Sequence, residues 1–167
     1  RGASGLPAEP AHSMALLAKD VLATLPAEGP FVVVGCSMGG YVALELLSRL
    51  GPELRSRLRG LVLCDSRANA EDAAGKARRA GTAAAIEADG LEPLLAKMLP
   101  QFLSAGSRGG ALEQLVRTMF LATTPATAAA DQRGMADRAD RFDVLGTLAV
   151  PFLAAVGEDD VLTPPSA

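Results

Sequence analysis

The residues best equipped for chemistry are gathered in one stretch, Phe31-Val32-Val33-Val34-Gly35-Cys36-Ser37-Met38-Gly39-Gly40-Tyr41-Val42-Ala43-Leu44. Ser37 is the middle residue of a G-x-S-x-G spacing, flanked by Gly35 and Gly39. A serine hydroxyl becomes a nucleophile when a base takes its proton, and the carbonyl it attacks then needs donors for its oxyanion. The surroundings suit that chemistry. Phe31 to Val34 reads as a buried strand, apolar and mostly β-branched. An apolar helical run follows the turn, to about Leu50. A sharp strand-to-helix turn presents its middle residue at the top of a sheet. Ser37 is therefore expected in strained backbone geometry. Gly35 and Gly39 are expected where a Cβ would meet the neighbouring strand or helix. The helix N-terminus beneath Ser37 favours developing negative charge. A plain turn of small residues is the alternative; the single occurrence of the pattern, between a strand and a helix, argues against it. Phosphate binding fits worse, since neither G-x-G-x-x-G nor G-x-x-x-x-G-K-[ST] is present. Cys36 is disfavoured as the nucleophile because the turn presents the residue after it.

A nucleophilic serine also needs a base and an acid that orients the base. Acids at strand C-termini are the candidates. Asp160 comes first, in Gly157-Glu158-Asp159-Asp160 after the apolar run Pro151 to Val156. Asp65 is the runner-up, ending the run Gly60 to Cys64, and it reads more readily as a loop acid that caps local backbone amides. Asp159 is third. His12 is the one histidine, and between Pro10, Ala11 and Ser13 it reads as a loop residue. The residues call for no metal and no cofactor.

These side chains must be positioned by a core, and 167 residues suffice for one domain. The net charge of −3, with the signs interspersed, argues against nucleic acid as a partner. No apolar run approaches a membrane span. Arg1-Gly2-Ala3-Ser4-Gly5 reads as the middle of a loop, and no signal peptide is expected in it. Cys36 and Cys64 are expected as buried free thiols, in a reducing, cytoplasmic compartment. Ser13 is a plausible N-cap for a helix to about Leu25. Gly51-Pro52 stops the helix after Ser37, and Arg55, Arg57 and Arg59 beyond it read as a solvated face. Helical segments are expected at 68–89, 91–103, 111–121 and 126–139. This block is too long for a simple crossover and reads as an inserted helical cap, 68–141, on a core made of 1–67 and 142–167. An α/β arrangement is expected.

Three motifs taken together resemble the α/β-hydrolase family. Arg1-Gly2-x-x-Gly5 resembles its R-G-x-G loop, and Gly35-Cys36-Ser37-Met38-Gly39-Gly40 its nucleophile elbow. Val150-Pro151 through Gly157-Glu158-Asp159-Asp160-Val161-Leu162-Thr163-Pro164-Pro165 resembles its acid loop. The esterase and enol-lactonase branch is more similar than the lipases. The resemblance implies an α/β-hydrolase fold with a parallel sheet, incomplete at both ends. It implies Ser37 as nucleophile, Asp160 as triad acid and the Met38 backbone N–H as one oxyanion donor, acting on a small ester, thioester or lactone. It also implies that the triad histidine and the second oxyanion loop lie outside these 167 residues, so that the segment alone is inactive. The competing expectation is a non-catalytic protein of this fold that binds a small apolar ligand under its cap. In a sheet reduced to three strands, Phe31–Val34 and Phe152–Val156 would be open apolar edges.

Overall fold

The computed structural model describes residues 9–166; the Arg1-Gly2-x-x-Gly5 motif lies outside the described residues. In chain order the elements are α1 (Met14–Leu22), β1 (Phe31–Cys36), α2 (Met38–Arg49), α3 (Pro52–Arg57), β2 (Leu58–Cys64), α4 (Ala73–Asp89), α5 (Glu92–Phe102), a 3-10 turn (Ala105–Ser107), α6 (Ala111–Leu121), α7 (Pro125–Ala136), α8 (Phe142–Gly146) and β3 (Phe152–Ala155). The described residues divide into two compact units, 13–71 with 137–166 and 9–12 with 72–136.

The first unit is built on a parallel sheet in the order β1-β2-β3. Its register sets Cys36, Cys64 and Ala155 in one row. The residues after each strand therefore emerge at the same end of the sheet. Only the central strand is buried as the sequence suggests, through Leu58, Leu61 and Leu63. Its neighbours are edges: Val32 is 55% and Val34 66% exposed, and β3 is exposed along its whole length.

Helix α2 is buried continuously from Gly40 to Leu47, because β1 packs on one side and α1 on the other. Ser13 caps α1 by accepting from the Leu16 N–H at 3.1 Å. That helix ends at Leu22, short of Leu25, because the Thr24 N–H and hydroxyl both fold back onto the Val21 carbonyl. Pro52 does more than stop α2. It occupies the first turn of α3, where its missing N–H costs nothing. The arginines of that segment are at the surface as the sequence suggests, Arg55 and Arg59 exposed and Arg57 half-buried, and they also make structural bonds. Arg57 donates to the carbonyls of Pro26, Ala27 and Gly29 at 2.5–3.1 Å and so ties down the turn before β1. Arg55 closes the end of α2 through the Leu47 carbonyl at 2.7 Å.

The second unit is helical. Asp72 accepts from the Gly75 N–H at 2.6 Å; this cap, four residues beyond Ala68, sets the start of α4. Gly90, at φ 79°, ends it. Ala83 and Ile86 pack with Leu91 and Ala129, so small side chains let α4 and α7 approach closely. Leu95, Leu99 and Leu103 pack against Val116 and Phe120, joining α5 to α6.

The segments 68–71 and 137–141 belong with the sheet unit, for reasons of charge. Arg138 is buried in an ion pair with Glu71 at 2.6 Å and lies 4.5 Å over the Tyr41 ring. Arg141 reaches the buried Glu45 at 2.5 Å, and its N–H donates to the Ala68 carbonyl. No helix among the described residues is long and apolar enough to cross a membrane.

Leu47 is fully buried in α2. In the full-length protein, Leu47→Ala is expected to cost about 2–5 kcal/mol. The check is a lowered denaturant midpoint with an unchanged slope.

Candidate active site

Ser37 sits between β1 and α2 with φ 50° and ψ −119°. This is left-handed backbone that costs a non-glycine residue about 1–3 kcal/mol. Three hydrogen bonds hold it there. The Ser37 N–H donates to the Cys64 carbonyl at 2.9 Å. The Ser37 carbonyl accepts from the Gly40 N–H and from the Ser66 hydroxyl, each at 2.9 Å. The side chain is exposed and caps no backbone amide, so the hydroxyl is not spent on the helix.

Two glycines make the turn possible. A Cβ on Gly35 would lie 2.5 Å from the Gly39 carbonyl oxygen and 2.7 Å from the Gly40 Cα. A Cβ on Gly40 would lie 2.2 Å from the Ser66 hydroxyl. At Gly39 a Cβ meets nothing within 4 Å. The expected collision on the helix side thus falls at Gly40, one residue later, because Gly40 rather than Gly39 faces the end of β2. Met38 opens α2, so its N–H is one of the unpaired donors of the first turn.

The expectation of two buried thiols is corrected. Cys36 is exposed, since β1 is an open edge, and Cys64, at the end of β2, is half-buried. Partial burial pushes the Cys36 thiol up, and the carboxylate of Asp65, the Cys64 sulfur and the carboxylate of Asp160 push the same way. A thiol held above its ordinary value is a poor nucleophile.

Asp160 lies on the loop after β3. Its Oδ1 accepts from the N–H groups of Leu162 at 2.7 Å and Thr163 at 2.9 Å, and its Oδ2 from the Thr163 hydroxyl at 2.5 Å. Burial alone would raise this carboxyl. The bonds from Thr163 and Leu162, with one involving Asp65, outweigh it and hold Asp160 below the usual carboxylate range. Asp65 also has left-handed backbone, φ 45°. Its N–H donates to the Ala155 carbonyl at 2.9 Å, and its Oδ1 accepts from the Gly157 N–H at 3.3 Å. Asp159 is exposed on the same loop. Parallel strands lie about 4.8 Å apart, so the ends of β1 and β3 are about 10 Å apart. One imidazole between a serine and a carboxylate suits that separation.

His12 lies in a loop, as the sequence suggests, but a buried one. It is 2% exposed, with Nδ1 2.7 Å from the Asp131 carboxylate, and both residues belong to the helical unit. Its N–H also donates to the Ala130 carbonyl at 3.0 Å. No local pattern could reveal a partner 119 residues away. Ser66 and Arg67 were also unmarked in the sequence. Ser66 holds the Ser37 carbonyl, and Arg67 donates to the Leu162 carbonyl. The one available signal was their position just after Asp65, at the end of a central strand. Among the described residues, no three His, Cys, Asp or Glu side chains are grouped to hold a metal ion.

The direction of the Asp160 shift fixes a pH dependence. Its folded value is depressed below the unfolded value of about 3.9. Its contribution to stability is therefore complete above the unfolded value and is lost as pH falls through the folded one. Thr163→Val removes one of the bonds responsible. In a series of urea melts between pH 3 and 7, the variant is expected to lose less stability on acidification than the parent.

The comparisons with known proteins agree with this geometry. The thioesterase-domain family profile matches residues 1–149. A thermophilic esterase from Thermogutta terrifontis, solved with malate bound, superposes with TM-score 0.86 at 31% identity over 99% of this chain and 62% of its own. A hydrolase from Pseudomonas aeruginosa PA01 gives 0.80 at 27% identity, over 99% and 61%. The enol-lactonase from Burkholderia xenovorans LB400 gives 0.80 at 24% identity, over 99% and 62%, a likeness of fold. The chain spans about three fifths of the length of these structures. No curated protein sequence matches it. A parallel sheet flanked by helices, a serine elbow between β1 and α2, and the family profile over most of its length lead to one assignment: the chain belongs to the thioesterase-domain family and has part of the α/β-hydrolase fold.

Proposed function

We propose that the parent protein is a serine hydrolase acting on an ester, thioester or lactone with a modest apolar acyl or ring part. The observation that supports this reading most strongly is the left-handed backbone of Ser37 at the strand-to-helix turn. Strain of this size persists where the surrounding structure enforces it, and it clusters at reactive sites. The family match and the esterase and hydrolase relatives support cleavage of an acyl bond.

The mechanism follows from placement. The Ser37 Oγ attacks the substrate carbonyl carbon while a histidine takes the hydroxyl proton. That histidine comes from outside residues 1–167, because His12 is buried against Asp131. Asp160 accepts the other ring N–H of the base and stabilises the imidazolium. Negative charge forms on the carbonyl oxygen, where the Met38 N–H and the N-terminal end of α2 oppose it. The tetrahedral intermediate collapses, the carbonyl re-forms, and the alkoxide or thiolate leaves with the proton from the imidazolium. With a lactone the leaving oxygen stays tethered to the acyl chain. Water, deprotonated by the same base, then cleaves the acyl-serine and releases the carboxylic acid. The helical unit Asp72–Ala136 is the cap in this reading.

A fluorophosphonate probe on the full-length protein tests the reading. One adduct is expected, and Ser37→Ala should abolish it. A folded protein that takes no label is instead a non-catalytic member of the fold that binds a small ligand. On a chromogenic ester, Asp160→Asn should lower kcat by about 10³–10⁴-fold, as loss of a triad acid does. Asp65→Asn should cost much less; the opposite order would make Asp65 the acid.

A further inference from the structure

Apart from one bond involving Asp65, the hydrogen bonds of Asp160 lie within its own loop. Leu162, Thr163 and the Asp160-to-Gly157 turn fix the carboxylate within 157–163. They do not fix that loop against Ser37. The loop hangs from β3, an exposed edge strand, and most of its residues are exposed. Something else must set the distance between nucleophile and acid.

The tripeptide after β2 does this. Ser66 donates to the Ser37 carbonyl on one side. Asp65 accepts from Gly157 at the near end of the acid loop, and Arg67 donates to the Leu162 carbonyl at its far end. We propose that Arg67, which no catalytic motif includes, is a positioning residue. Its guanidinium fastens Leu162, whose own N–H binds Asp160, and so fixes the acid loop against the end of β2 at the spacing the histidine must bridge. This inference rests on Asp160 being the triad acid.

The surroundings of Arg67 support a built position. It lines a cleft with Met14, Tyr41, Leu44 and Ala68 and with Arg138 and Arg141. The two neighbouring arginines are paired with Glu71 and Glu45. Arg67 instead directs its charge to a backbone carbonyl, and its Nε is buried without a hydrogen-bond partner. Leaving a buried N–H unpaired is unfavourable. The guanidinium accepts that loss while keeping its hold on Leu162. A mere filler of the cleft would need no such donor.

The test uses the full-length protein and p-nitrophenyl butyrate. Arg67→Met keeps the apolar stem and removes the donor. Its kcat is expected to fall about 10- to 100-fold with KM unchanged, the cost of misplacing a catalytic group by about an ångström. Arg67→Lys, which can still donate to the Leu162 carbonyl, should recover most of the loss. An unchanged kcat in folded Arg67→Met overturns the proposal. So does a loss shared by kcat and KM that lysine does not rescue, since that pattern marks general destabilisation. If Arg67→Met does not fold, Arg67→Gln, too short to reach Leu162, is judged by the same criteria. Asp160→Asn is measured alongside. If it retains activity, the triad reading fails; if it is inactive while Arg67→Met is not, this inference alone fails.

Discussion

The structure turns on one strained peptide. Ser37 takes a backbone conformation that L-residues avoid, and everything around it serves to enforce that conformation. The constraint is steric as well as hydrogen-bonded. Gly35 lets the Gly39 carbonyl approach, Gly40 lets the end of β2 approach, and the Cys64 carbonyl takes the Ser37 N–H. Relaxing the turn would break all three contacts together. An exposed hydroxyl held away from the helix cap is the consequence. It is free to react because the backbone beneath it is not free to move.

The same logic gives β2 its importance. It is the one strand of the three with neighbours on both sides, and its residues are the buried ones. The segment just past it bonds to both β1 and the loop after β3. Ser37 and Asp160 sit at the ends of edge strands, which have fewer means of holding position. The central strand supplies what they lack. Charged residues contribute likewise: Glu45, Glu71, Arg138 and Arg141 neutralise one another while tying the segments 68–71 and 137–141 to the sheet unit.

Much of this was legible in the sequence. A run of β-branched residues into Gly-x-Ser-x-Gly and on into an apolar helix admits few structures, and the family resemblance built on it implies the parallel sheet. Local rules also located the Ser13 cap and the acid-bearing loop. They did not reveal what long-range partners add. His12 is buried because Asp131 receives it, and Arg57 is structural because three carbonyls of the 26–29 turn lie within its reach. Neither partner is visible in a local window. Cys36 was misjudged for a related reason. An apolar run predicts burial only when the strand has a neighbour on each side, and β1 has one. The collision at Gly40 rather than Gly39 is a matter of which α-carbon faces Ser66. No spacing rule contains that.

The central claim is that the Ser37 elbow is the reacting centre. The most direct measurement is a crystal structure of the full-length protein after reaction with a phosphonate ester. The account predicts phosphorus bonded to the Ser37 Oγ, a phosphonyl oxygen about 2.7–3.1 Å from the Met38 N–H, and an imidazole hydrogen-bonded to Asp160. An adduct on Cys36 or any other residue, or a Ser37 with relaxed extended or helical backbone, would contradict it.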